Sequence, residues 1–381
     1  VLKVDILAND SEMEYEKFLD QCKFASIQHS LLWRDVICDL GKDEPFFIIA
    51  KEKDKIVGAL PLYYYKCKYG NLLTSIAWYT ISGIICLEYV NKREVYRKLL
   101  DYSISLAKEL DCNAISINTN MFLDDERIYL EHFKPDYILE NFIQYINLYE
   151  IFNKDGVIVH PNYTRKGVLR KNLEKALLQP VIISERQIQE HVDKWYKIHE
   201  KRMKELGADP IPKGIFDGVL KRLVPKNRGK FLFAFSRGEM VSGGVFIFNK
   251  DIMNAYMMSM DSKHKELRSN YLITYHILNW ANKVGIKIFN WMSSDKKGGG
   301  VYRWKEMWGS RELSCLYLTK ILGDISRWRS LGYLKLKKFY EFHYLLPFNL
   351  LESPGFRITT KDEVISFLNR MPKFNSAKTL F

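Results

Sequence analysis

Two distant stretches of this chain can be laid on each other without a gap. FFIIAKEKDKIVGALPLYYY spans residues 46–65 and FLFAFSRGEMVSGGVFIFNK spans residues 231–250. Each reads as an apolar strand, a charged turn and a second apolar strand, with Gly58 and Gly243 at matching places. Further strands and an amphipathic helix follow in both. A hairpin is marginally stable alone and needs neighbours of its own. A duplicated hairpin with a duplicated sequel therefore predicts two similar α/β units of roughly 150 residues, a normal domain size.

The flanking pattern agrees. LKVDILA reads as a strand, and Ser11-Glu-Met-Glu14 as a capping box before a helix. SLLWRDVICDL and residues 93–109 carry apolar residues at helical intervals, and NAISIN and YILENFIQYINLYEI read as strands. Residues 154–180 are basic, helical and closed by Pro180, and we read them as the crossing between two halves. A long helix over 185–206 and another to 223 precede the strands KFLFAFSRG, EMVSGGVFIFN and DIMNAYMMSM. The helix RSNYLITYHILNWANKVG and the strands IKIFNW and LSCLYLT close the second half. The expected boundaries are 1–153, 154–180, 181–321 and an aromatic, basic tail at 322–381 that packs on the domains.

Composition narrows the class. With 47% hydrophobic and 27% charged residues the chain is globular. A net charge of +13 suits an anionic partner, whether nucleic acid, an anionic lipid surface or a phosphorylated small molecule. The lysines are scattered, with no block dense enough for a DNA-binding arm. The six cysteines, at 22, 38, 67, 86, 112 and 315, share no metal-ligand spacing, so we expect no metal and buried thiols in a reducing cytoplasm. VLKVDILAND does not read as a signal peptide. The uncharged run Asn71–Leu87 is short of the ~20 apolar residues of a membrane span and is interrupted by polar residues. We expect buried sheet with a loop in it.

The stretch GGGVYRWKEMWG, 298–309, follows a strand and looks like a phosphate loop. It fails as one: Lys305 follows Trp304 and precedes Glu306, with no hydroxyl for magnesium. Arg303 stands where a dinucleotide motif needs its last glycine. The reading left is a bend whose glycines let the backbone approach a ligand and return Lys305 to a cleft. No Cys–His or Ser–His–Asp spacing points to a covalent acyl-enzyme.

The order of QHSLLW (28–33), KIVGALPLY, RKNLEKA (170–176), MSMDSKHKELRSNYLITYHILNWANKVGIKIFNWMSSD and GVYRWKEMWG resembles that of the Fem-type peptidyltransferases and their relatives, over residues 25–320. These are acyltransferases built from tandem GNAT domains. The resemblance implies an α/β (α+β) fold of two GNAT-like domains, each a mixed, mostly antiparallel sheet flanked by helices. It implies N-acyl transfer to an amine by direct attack. Without room for a long coiled-coil arm between 185 and 225, the chain looks more like relatives that use acyl-CoA on a dTDP-linked amino sugar for surface polysaccharide. An aminoacyl-tRNA-dependent enzyme acting on a cell-wall precursor is the alternative. A non-catalytic scaffold docked on a membrane through the basic tail is the third reading.

For this resemblance the site residues follow. Lys305 supports the tetrahedral intermediate, and Asp261 or His29 is the candidate proton acceptor, with His199 a further one. Coenzyme A, as the acyl donor, is held at the start of the helix after the second hairpin by Lys263, His264, Arg268, Ser269 and Asn270. The usual glycines of that turn are Ser269 and Asn270 here. The acceptor site draws on Tyr65, Lys66, Trp78, Tyr79, Arg165, Arg170, Lys171 and Tyr302.

Overall fold

The computed structural model describes residues 1–79, 82–164, 167–294, 297–343 and 358–359. Contacts divide the chain into two compact units, Val1–Phe142 with Leu313–Phe381, and Ile143–Glu312. The first unit opens with β1 (Leu2–Ile6), α1 (Glu12–Leu19) and α2 (Leu31–Cys38). The hairpin β2 (Asp43–Glu52) and β3 (Lys55–Tyr65) follows, then β4 (Asn71–Thr74), β5 (Ile85–Cys86), α3 (Lys92–Glu109), β6 (Cys112–Asn118) and α4 (Glu126–Phe133). β7 (Tyr137–Asn147) ends it and passes into the second unit.

The second unit continues with α5 (Leu148–Ile151), α6 (Pro161–Thr164), α7 (Val168–Leu177), β8 (Val181–Ser184), α8 (Gln189–Glu205) and α9 (Lys213–Gly218). Next come β9 (Gly229–Ser236), β10 (Glu239–Asn249), β11 (Ile252–Met260), α10 (Ser269–Lys283), β12 (Ile288–Ser293) and α11 (Gly300–Met307). The chain then returns to the first unit as β13 (Arg311–Ile321), α12 (Ser326–Leu331) and α13 (Tyr333–Tyr340).

The first sheet runs β1-β2-β3-β4-β6-β13. Its pairs are antiparallel except β4–β6, which α3 joins as a crossover. The second runs β8-β9-β10-β11-β12 and ends on residues 143–147 of β7, with β11–β12 the parallel pair and α10 its crossover. The expected mixed, mostly antiparallel sheets flanked by helices are thus present in both units. β13 bonds to β6 of the first unit, so that unit is closed by residues from beyond the second.

The repeat is real in shape but shifted by one residue from the ungapped alignment. Both hairpins turn through two residues with positive φ, Lys53-Asp54 (48° and 64°) and Arg237-Gly238 (51° and 83°), as a type I′ turn requires. Both carry a bulge just after the turn, which leaves Val57 and Val241 outside the register. Turn and bulge together make Gly58 equivalent to Ser242, not to Gly243. A one-residue shift moves a side chain to the other face. A Cβ on Gly58 would sit 2.4 Å from Val95 Cγ1 of α3, whereas one on Gly243 would meet Trp195 of α8 at 2.5 Å. Ser242 faces α10 instead, where its Oγ donates to Ser269 Oγ at 2.7 Å.

Two sequence expectations fail locally. Ser11 makes no side-chain cap; its hydroxyl donates to Asp10, and Glu14 accepts from Ile56 N at 3.0 Å, tying α1 to the hairpin. The glycines do turn the chain, at Lys297-Gly298 with φ 73° at Gly298, but the turn ends at Gly299, the N-cap of α11, so Lys305 stands on a helix and not in the bend. Tyr302 and Lys305, and Trp304 and Trp308, stand at helical spacing, and that pattern outweighs the glycines.

Gly58→Ala should lower stability by about 1–3 kcal/mol, because the new methyl overlaps Val95, a short β-branched side chain that is 1% exposed. Val95→Ala in the same chain should restore part of the loss, read as urea midpoints. Stability should also fall as pH rises from about 4.5 through 7. Burial raises Glu126 from 4.5 to about 7, so the folded state holds a proton that the unfolded state has released. Glu126→Gln should flatten that part of the profile.

Candidate active site

The two parallel strand pairs are treated in opposite ways. In the second unit β11 and β12 are joined only over Ile252–Asn254 and Ile288–Asn290. Beyond that, β11 runs on to Met260 and β12 to Ser293 with no further ladder between them among the described residues. At the fork, Asn290 Nδ2 donates to Asn254 Oδ1 at 2.9 Å, and Asn290 Oδ1 accepts from Met292 N at 2.9 Å. Both asparagines are buried, and their amides replace the ladder where the strands part. Met292 sits at φ 61°, a left-handed conformation that a side chain disfavours, within the register shift of β12 against β7 between Asn290 and Ser293.

Lys305 holds this turn from behind. Its Nζ donates to Ser293 O at 2.8 Å and to Met292 O at 3.3 Å, and the residue is 6% exposed. A buried ammonium needs such acceptors. α11 presents it in a fixed pose because the helix end is clamped by α6. Asn162 Nδ2 donates to Met307 O at 2.9 Å and Tyr163 Oη to Trp308 O at 3.0 Å. Gly309, at φ 82°, lies against the His160 ring, 3.0 Å from where a Cβ would stand. Tyr302 is held too: its hydroxyl donates to Glu312 at 2.5 Å, and its carbonyl accepts from Gln144 at 3.0 Å. The Glu312 bond first, and burial second, push its pKa up to about 12.

Between α10 and α11 lies an aromatic cluster. Trp291 and Trp304 are 5.1 Å apart, Trp304 and Trp308 5.8 Å, and Tyr271 and Trp304 6.1 Å. These rings belong to the hydrophobic core of the second unit. α10 starts at Ser269, after Arg268 in a left-handed conformation and without a side-chain cap. Its free N–H groups and dipole favour an anion. Lys263 and Lys265 are exposed on the turn before it. Arg268 donates to Asn172 Oδ1 at 2.8 Å, and His264 lies 4.0 Å from Glu239 and from Glu266. Asn270 Oδ1 is buried and has no hydrogen-bond partner.

In the first unit the corresponding parallel strands are held together instead. Beyond the β4–β6 ladder, Ser75 N donates to Ser116 O at 3.0 Å. Ser75 Oγ accepts from Asn118 N at 3.0 Å and donates to Asn118 Oδ1 at 2.8 Å. Gly83 then lies on residues 118–120 so closely that a Cβ would be 2.6 Å from Asn120 N. The start of α3 is capped by Asn91, which accepts from Glu94 N.

The other expected residues are distributed as follows. Asp261 caps the turn before α10 and pairs with Lys201 at 2.8 Å. Burial raises its pKa, but the bonds from Lys201 and from the Lys263 amide outweigh that and hold it below the usual value. His29 belongs to the first unit, buried between Ser26 and the Gly83 carbonyl. Burial drives it down to about 4, so it is neutral. His199 is likewise pushed to about 4 by burial; its Nδ1 meets Ser259 Oγ at 2.9 Å, while its Nε2 is buried without a partner. Arg170 bonds Glu174 and the Thr164 carbonyl, and Lys171 is exposed beside it on α7. Tyr65, Lys66 and Trp78 are in the first unit, where Tyr65 Oη donates to Phe339 O. Arg165 and the side chain of Tyr79 lie outside the described residues. Asn254 and Asn290 escaped the sequence reading, although a lone asparagine inside each apolar strand was a signal.

Residues 165–306 match the sequence model of the acetyltransferase (GNAT) domain. No curated protein sequence matches the chain. Among solved structures, FemX is similar with a TM-score of 0.65 and 12% identity, covering 84% of this chain and 98% of its own. A tandem GNAT protein from the clavulanic acid biosynthesis pathway gives a TM-score of 0.53 at 10% identity, covering 84% and 98%. L-PGS from Bacillus licheniformis gives 0.53 at 11%, covering 87% and 96%. At these identities the likeness concerns the fold alone. That fold is of the GNAT acyltransferase type, and its structural relatives include a protein that carries GNAT domains in tandem.

Proposed function

We propose that this chain is an N-acyltransferase whose second unit holds an acyl-CoA in the fork between β11 and β12, and passes the acyl group to the amine of a dTDP-linked sugar. The observation that carries the reading is the asymmetry between the parallel pairs: one parted at Asn254 and Asn290, the other stitched shut by Ser75 and Asn118. The residues at the fork fit such a donor. The parted strands leave unladdered backbone for an extended arm, and the uncapped start of α10 beside Lys263 and Lys265 suits phosphate. When bound, the donor supplies a thioester carbon open to attack.

The chain's own groups hold and polarise. Lys305 fixes the carbonyls of Met292 and Ser293 and sets a positive charge behind the bend, where charge develops on the acyl oxygen. The amine nitrogen forms the amide bond as the C–S bond breaks, and the proton it sheds balances the departing thiolate. Asp261, ionised beside Lys201, and neutral His199, bonded to Ser259, are the acceptors in the second unit for that proton. His29 has both ring nitrogens engaged in the first unit, which suits it better to structure than to proton transfer. The charge of +13 also favours a second reading, an aminoacyl-tRNA donor.

Thiol release from short-chain acyl-CoA in the presence of a dTDP-amino sugar tests the proposal. Lys305→Met should lower kcat at least about 100-fold while changing KM less than about threefold, the pattern of a group used in the transition state. Unchanged kcat would refute the role of Lys305. Turnover with aminoacyl-tRNA and none with acyl-CoA would favour the second reading.

A further inference from the structure

The first unit buries a carboxylate among aromatic groups of its own chain. The carboxylate of Asp43, at the start of β2, is completely buried. Trp78 Nε1 donates to its Oδ2 at 2.7 Å and His343 Nε2 to its Oδ1 at 2.6 Å. A buried carboxylate is costly unless it is bonded in this way. The imidazole of His343 lies on the ring of Tyr65, with centroids 3.8 Å apart and planes at 24°. Phe342 lies on Trp78 at 5.0 Å and 18°. Trp78 is held at φ 54°, and strain of that kind persists where surroundings enforce it. Lys42 is exposed, with its Nζ 5.8 Å from the Trp78 ring.

A flat heterocycle stacked on a tyrosine, its N–H given to a buried carboxylate, has the chemistry of a held nucleobase. We propose that Asp43, Tyr65 and Trp78 form a nucleotide-base site, and that residues 339–343 are a strap whose Phe342 and His343 occupy it until a nucleotide displaces them. The ligand is a nucleoside diphosphate whose base carries a ring N–H for Asp43. Thymine, uracil and guanine have one; cytosine and adenine do not. Lys42, beside the Trp78 ring, is the cation for its phosphates. This deepens the acceptor half of the proposed function and rests on that reading only for the identity of the substrate.

The strap holds down affinity, because only molecules with it displaced can bind. Binding of thymidine and cytidine diphosphates to the full chain, followed by calorimetry without any acyl donor, tests this. Phe342→Ala with His343→Ala should tighten thymidine diphosphate binding at least about tenfold. In the unaltered chain, saturating thymidine diphosphate should speed amide exchange at residues 339–343. Asp43→Asn in the strap-free variant should abolish the preference for thymidine over cytidine diphosphate. Equal affinity of the unaltered and double variants, no binding by the double variant, or equal binding of both nucleotides overturns the proposal. Thiol release is scored separately with a simple amine, so a negative result here leaves acyl transfer by the second unit standing.

Discussion

Everything distinctive about the second unit depends on where one parallel ladder stops. Backbone N–H and C=O groups released from a ladder must find other partners, or they are lost to the fold. At the end of β12 those partners are Asn290, which takes the Met292 N–H, and Lys305, which takes the Met292 and Ser293 carbonyls. The fork is thus built rather than frayed. A buried ammonium is retained there by the acceptors it fixes, and the clamp of Asn162 and Tyr163 on the end of α11 keeps it in place.

The first unit shows what the same architecture does without that device. Its hairpin has the same two-residue turn and the same bulge, yet beyond the ladder Ser75 and Asn118 close the strands and Gly83 packs on them. The two units thus differ where the parallel strands part and are alike where the hairpin sets the sheet. In the first unit Trp78, Tyr65, Phe342 and His343 gather instead around the buried carboxylate of Asp43.

Much of this was legible in the residues. Alternating apolar runs gave the strands, and the matched hairpins predicted two similar units. The one-residue shift between them was not legible, because a bulge leaves no compositional mark and the paired glycines rewarded the wrong register. Lys305 could be singled out by its tryptophan neighbours, but its partners are backbone carbonyls, which no sequence pattern names. The closure of the first unit by β13 is a long-range pairing of Tyr317–Ile321 with Ala114–Asn118, invisible to local periodicity. The polarity of Asn254 and Asn290 within apolar strands was present all along and went unread.

The central claim, that the open fork and not its closed counterpart receives the acyl donor, is tested most directly by amide hydrogen exchange with saturating coenzyme A. Slower exchange is predicted at residues 262–271 and along α11, with no change at Asn91–Glu94 at the start of α3. Protection confined to the first unit, or no protection at α10, would contradict the account.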